Sequence, residues 1–172
     1  DDKVMDLEYD YEGNLTRITE DASSGTPVIT DYTYFGDNRL QTVTFRRASG
    51  DKTFTYAYDP GGRLASIQYP ASTGITAYFD DGAGGPGWDG HGQLRHLRYV
   101  KGGSNLQSFE YTYDKAGNRR SQKDVPATGD SKLWVYEYDY LDRLYKVSLH
   151  NHADPAQLSE ALAVTQSIYG YD

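Results

Sequence analysis

The sequence predicts an all-β fold: a long antiparallel meander of repeated β-hairpins, with one short helix near the C-terminus. Three observations predict it. An aromatic residue followed by aspartate recurs about every 25 residues. A residue that tolerates positive φ stands four positions after nearly every such aromatic. Between these marks, aromatics alternate with small or polar residues, as in Phe54-Thr55-Tyr56-Ala57-Tyr58 and Phe109-Glu110-Tyr111-Thr112-Tyr113.

With the aromatic as position zero, the anchors are Tyr9, Tyr34, Tyr58, Trp88, Tyr113, Tyr138 and Tyr171, with gaps of 25, 24, 30, 25, 25 and 33 residues. Position one is Asp10, Asp59, Asp89, Asp114, Asp139 and Asp172, with Phe35 as the exception. Two residues before the anchor stand Leu7, Tyr32, Tyr56, Tyr111, Tyr136 and Tyr169, with Pro86 breaking the column. The two aromatic columns take 11 of the 17 tyrosines, so the repeat itself accounts for tyrosine outnumbering the 5 Phe and 2 Trp.

Position four reads Gly13, Asn38, Gly62, Gly92, Gly117, Asp142. These are the residue types that accept the left-handed region. Asp-x-x-Gly then reads as a type I turn, in which the aspartate accepts backbone N–H bonds and the glycine closes the bend. A type I turn followed by a glycine bulge is a common hairpin connection, and Pro60 fits its second position. After the turn come Leu15, Leu40, Leu64, Leu94 and Leu144, with Arg119 departing. Three residues on are Ile18, Val43, Ile67, Leu97 and Val147, with Gln122 departing. A second turn recurs at position sixteen as Gly25, Gly50, Gly74 and Gly129, with Gly103 one residue early. Two turns per repeat give two strands of roughly 7–9 residues each, and about a dozen strands in all. Aromatics on one face would then form cross-strand ladders.

Two segments break the period. Residues 80–92 are a glycine-rich insertion, and 151–167 is a second insertion. In the latter, Asp154-Pro155-Ala156-Gln157 reads as N-cap, N1 proline and capping-box glutamine, and Leu158 and Leu162 share a helical face. A short helix is expected from about Pro155 to Val164. Otherwise residues 1–172 read as a single repeat array whose last repeat is truncated, a slice of a longer chain.

Composition narrows the functions. Net charge is −8 and there is no cysteine, which removes disulfides, thiolate zinc sites and a cysteine nucleophile from this segment. No Lys/Arg cluster offers a phosphate-tracking surface, so nucleic acid is not an expected partner. No apolar run is long enough for a membrane-spanning helix. A mean hydropathy of −0.76 beside 14% aromatics suits sheets with two semi-polar faces better than an oily core.

The unit Tyr-x-Tyr-Asp-x-x-Gly-Arg/Asn-Leu-x-x-Ile/Val, clearest from Tyr56 to Ile67, resembles the YD repeat of the RHS (rearrangement hotspot) family. The likeness runs through nearly the whole chain. Its arginine is present at Arg39, Arg63 and Arg143 and replaced by Asn14, Gln93 and Asn118. That family includes bacterial polymorphic toxins, C components of insecticidal toxin complexes, wall-associated proteins and the teneurins. The resemblance implies a β-sheet that spirals into a hollow shell, enclosing a toxic domain in the toxin members. It also implies a secreted or cell-surface location in a larger bacterial protein. The expected partners are the remainder of the same shell and an enclosed toxin or effector domain.

The residues expected to build the repeat are Tyr9, Asp10, Gly13, Tyr34, Tyr58, Asp59, Gly62, Trp88, Asp89, Gly92, Tyr113, Asp114, Gly117, Tyr138 and Asp139. Two functional readings stand beside each other. One is a non-catalytic structural segment that encloses or scaffolds. The other is a surface module that binds a glycan or protein, with Tyr56, Tyr58, Tyr111 and Tyr113 as candidate sugar-stacking residues. Recurrence at a fixed position in every unit assigns those tyrosines first to sheet packing. No enzymatic activity, catalytic residue, metal or cofactor is expected. Asp59-Pro60-Gly61-Gly62 has the outline of an Asp-Pro-x-Gly self-cleavage site, but Asp59 sits in the ordinary turn column. His150, His152 and Asp154, and the trio Asp80, Asp81 and Asp89, contain metal-ligating types without a metal-site spacing.

Overall fold

The computed structural model describes residues 4–21, 26–150 and 163–170. Its described residues form thirteen strands that follow one another in chain order as an antiparallel meander. The chain divides into two compact units, Asp1–Ala77 and Tyr78–Asp172.

The first unit contains β1 (Met5–Tyr9), β2 (Leu15–Glu20), β3 (Val28–Tyr34), β4 (Leu40–Arg46), β5 (Lys52–Tyr58) and β6 (Leu64–Gln68). β7 (Ile75–Tyr78) begins in this unit, and its last residue, Tyr78, is the first of the second. In β3 to β5 the register aligns Tyr32 with Val43 and Val43 with Phe54, which gathers aromatic and aliphatic side chains on one face. Phe54 meets the edges of Phe45 and Tyr69 at 6.1 and 5.2 Å between centroids. The opposite face is polar. Thr33 and Thr42 share a hydroxyl hydrogen bond of 2.7 Å, and Thr44 and Thr53 one of 2.9 Å. Asp31 on this face binds Arg17 and Arg46 from the flanking strands, each at 2.6 Å. The Arg17 and Arg46 guanidinium groups hold its carboxyl below the ordinary carboxylate range against the opposing effect of burial.

The second unit contains β8 (His96–Lys101), β9 (Ser104–Tyr113), β10 (Arg119–Pro126), β11 (Lys132–Tyr138), β12 (Leu144–His150) and β13 (Ala163–Ile168). The same division of faces holds. Leu97 opposes Phe109, Trp134 opposes Leu149 and Tyr136 opposes Val147 on the apolar face. On the other, Thr112 and Ser121 share a 2.6 Å hydrogen bond, and Lys146 reaches Glu137 at 3.0 Å. Lys146, Ser148 and His150 are buried on alternate positions of β12, beside fully buried Leu133.

The apolar core is thin. Among the described residues the buried hydrophobic side chains are Val43, Ala77 and Leu133. That is the outcome expected from a semi-polar, tyrosine-rich composition. Cohesion comes from backbone ladders and cross-strand pairs rather than from an interior of closely packed aliphatics.

The expected C-terminal helix is not seen: among the described residues there is no helix. Residues 155–162 of the expected span lie outside the described residues, as do His152 and Asp154. Ala163 and Val164 instead open β13, which pairs with β12 through contacts such as Ser148–Gln166 and Lys146–Ile168. At Ala163 and Val164 the backbone joins the ladder offered by β12.

Candidate functional site

The recurring turn is the most densely organised polar feature of the chain. At Tyr9, Tyr34, Tyr58, Tyr113 and Tyr138 the strand register shifts, for example between Glu8 and Tyr9, Thr33 and Tyr34, and Glu137 and Tyr138. This is a bulge. The position-one N–H then donates to the position-five carbonyl, at 2.9 Å for Asp10–Asn14 and 2.8 Å for Asp59–Arg63. The position-four N–H donates back to the position-one carbonyl, at 2.9 Å for Gly62 and 3.0 Å for Asp142. Position four has positive φ in all six repeats that carry it: 86, 63, 80, 78, 94 and 57° at Gly13, Asn38, Gly62, Gly92, Gly117 and Asp142. The left-handed closure read from the sequence is therefore present in each.

The aspartate carboxylate organises the turn interior. Asp59 accepts from the Arg63 backbone N–H at 2.9 Å and from Arg63 Nε at 3.0 Å. Asp139 accepts from the N–H groups of Leu141 and Arg143 and from Arg143 Nε, at 2.9, 3.0 and 2.8 Å. In the asparagine repeats, Asp10 and Asp114 accept from both the backbone and the side-chain amide of Asn14 and Asn118. Asp89 accepts from the N–H groups of His91 and Gln93. These donors hold the carboxylates below their ordinary range. The cause is chiefly the Asn14 side chain at Asp10, and the backbone N–H of Arg63, Gln93 and Arg143 at Asp59, Asp89 and Asp139. At Asp114 burial pushes upward, and the Asn118 donors outweigh it.

The second repeat reaches the same end differently. Phe35 replaces the aspartate, and Asp37 two residues on binds Arg39, with Nη2 at 2.6 Å and Nε at 2.8 Å. Phe35 in turn packs edge-on to Tyr58 at 6.1 Å.

Among the described residues, four anchor tyrosines tie their repeats to the one before. Tyr34, Tyr58, Tyr113 and Tyr138 donate their hydroxyls to the carbonyls of Leu15, Leu40, Leu94 and Arg119, at 2.8, 2.9, 2.8 and 3.0 Å. Those acceptors all occupy position six of the preceding unit. The position-five donors also reach forward: Asn14 Nδ2 to Asn38 Oδ1 at 2.9 Å, and Asn118 Nδ2 to Asp142 Oδ1 at 3.0 Å. Arg39 stacks over the Tyr58 ring at 4.6 Å.

Of the tyrosines considered for sugar stacking, Tyr58 is covered by Arg39 and Phe35, and Tyr111 lies beneath Arg119 at 4.8 Å and beside Phe109 at 6.4 Å. Tyr113 has its hydroxyl on Leu94, and Tyr56 is half-buried. Tyr9, at the start of the array, is 58% exposed. Trp88 is half-buried, stacked on Phe79 at 5.7 Å. Gly87 beside it permits this path, because a Cβ there would stand 2.1 Å from the Phe79 carbonyl oxygen.

The insertion at 80–92 forms the rim of a half-open cavity of about 490 Å³, bordered by Asp80, Asp81, His96, Arg98, Ser108 and Glu110. Arg98 pairs with Asp80 and stacks on Tyr78 at 4.5 Å. Asp81 caps the N–H groups of Ala83 and Gly85, each at 2.8 Å. Asp80, Asp81 and Asp89 are thus engaged with protein donors. Among the described residues no group of three or more His, Asp or Glu is placed to hold a metal ion. No helix among them is long and apolar enough to cross a membrane.

The site defines a repeat protein whose recurring aspartate turn locks each hairpin and whose tyrosine and position-five side chains join neighbouring hairpins. No family model matches the chain, and no curated protein matches it. Among solved structures it is similar to one titled "Crystal Structure of TcdB2-TccC3-Cdc42". The TM-score is 0.68 at 15% identity, over 86% of this chain and 7% of that one. The likeness is one of fold. The chain spans about 7% of the length of the protein it matches.

Proposed function

We propose that this chain is a non-catalytic section of an RHS-type β-shell, whose wall encloses or scaffolds a toxin or effector domain for secretion and delivery. The observation that carries the reading is the allocation of the motif side chains. Where the units carry them, the turn aspartates, the arginine or asparagine at position five and the tyrosines Tyr34, Tyr58, Tyr113 and Tyr138 are spent on closing their own turn or binding the adjacent unit. A motif used in that way makes wall, not an active centre. The meander and its likeness in fold to the TcdB2–TccC3–Cdc42 structure support the same reading. Asp59, the residue nearest in outline to a self-cleavage aspartate, has both carboxylate oxygens bound by Arg63. The partners under this reading are further repeats and the enclosed domain, and the location is the cell surface or outside a bacterial cell.

The test uses the full parent protein. Limited proteolysis should leave an enclosed effector domain intact and silent, and excision of residues 1–172 should make it cleavable and active. Equal protease sensitivity with and without this segment would overturn enclosure. Saturable quenching of Trp88 or Trp134 fluorescence by a polysaccharide would favour the surface-binding reading instead.

A further inference from the structure

We propose that positions four and five of adjacent repeats form a matched pair that decides which repeat can seat beside which. The residue types at the two positions vary together along the chain. Where position five is the short donor asparagine, position four of the next repeat carries a side-chain oxygen: Asn14 with Asn38, and Asn118 with Asp142. Where position five is a long donor, the next position four is glycine: Arg39 with Gly62, and Gln93 with Gly117. The sequence carries the same combination in Arg63 and Gly92.

Reach explains the pairing. An asparagine amide held on its own aspartate, as Asn14 is on Asp10 at 3.0 Å, extends just far enough to donate to an oxygen projecting from the next turn. Without that oxygen the second N–H has no protein acceptor there. The acceptors Asn38 and Asp142 have φ of 63 and 57°, a region that L side chains rarely adopt. The bridging bond offsets that strain. A long donor instead lies beside the next turn. A Cβ on Gly117 would stand 3.3 Å from Gln93 Nε2, close enough that the amide must give way, and one on Gly62 would touch Arg39 Nη1 at 3.7 Å, so that a longer side chain there would meet the guanidinium.

The edge of each turn is therefore an interaction surface with a defined partner, another repeat of complementary type. A short-donor edge takes a repeat with asparagine or aspartate at position four, and a long-donor edge takes one with glycine. This holds whether or not the wall encloses a cargo.

Two double-mutant cycles on the full chain, read by urea unfolding, test it. Gln93→Asn and Gly117→Asn, in a repeat that keeps Asp89 at position one, should each lower the midpoint. The double variant recreates the Asn14–Asn38 pair beside that aspartate, so it should lie about 0.3 M or more above the sum of the single shifts. The mirror cycle, Asn14→Arg with Asn38→Gly, introduces no new left-handed side chain and so remains readable if Gly117→Asn fails to fold. Its double variant should likewise exceed additivity. Additive shifts, or a double variant worse than the sum, in either readable cycle would overturn the proposal.

Discussion

Replacing the anchor tyrosines by phenylalanine isolates the bonds that join one repeat to the next. Tyr58→Phe removes the 2.9 Å bond to the Leu40 carbonyl while keeping the ring under Arg39 and against Phe35. A net hydrogen bond contributes about 1 kcal/mol, and a carbonyl left without water adds to the loss. The bonds of Tyr34, Tyr58 and Tyr113 are part-buried, and that of Tyr138 is exposed. The expectation is about 1–1.5 kcal/mol for each of the first three and about 0.5 for Tyr138→Phe. Separated by a full repeat, the four should be nearly additive, about 4 kcal/mol in all. With a urea slope of about 2 kcal/mol/M, Tyr58→Phe should lower the midpoint by roughly 0.5 M. Tyr32→Phe and Tyr136→Phe are the controls, because their hydroxyls make no hydrogen bond among the described residues. A Tyr58→Phe shift no larger than that of Tyr32→Phe would refute the stitching role.

Three further outcomes are expected from thermal or urea unfolding. Gly117→Ala should cost about 1–2 kcal/mol, since its φ is 94° and the new Cβ would crowd Gln93; Gly36→Ala, with open space around it, should be near neutral. Asp31→Asn should cost about 1–2 kcal/mol by leaving Arg17 and Arg46 facing each other, with the loss shrinking as salt is raised. Stability should fall with acid: the position-one carboxylates are depressed in the fold, so the unfolded chain binds protons first as pH drops. Their contribution is complete above the ordinary carboxylate range, roughly pH 4, and is lost as pH falls through the lower folded values. Asp59→Asn and Asp139→Asn together should flatten that acid limb.

Much of this was legible in the sequence because the repeat samples each position several times. One Asp-x-x-Gly predicts little, but six position-four residues drawn from Gly, Asn and Asp leave a left-handed turn as the common requirement. Alternation likewise separated the aromatic face from the threonine face. The tyrosine stitches were not legible, because their acceptors are main-chain carbonyls that any residue at position six supplies, Arg119 as well as Leu40. Nor was the rescue of the Phe35 turn by Asp37, which depends on a carboxylate approaching Arg39 from a different place in the bend. The C-terminal helix expectation rested on local capping signals. Those signals lie outside the described residues, and the last two residues of the expected span, Ala163 and Val164, open the strand that pairs with the edge of β12.

A left-handed residue closes each of the six described position-four turns, and the most direct test of it is the intraresidue amide-to-Hα distance at Asn38 and Asp142 by NMR. Positive φ at these non-glycine positions predicts unusually short distances and strong cross-peaks at both. Weak cross-peaks of ordinary extended or helical backbone at these two residues would contradict it.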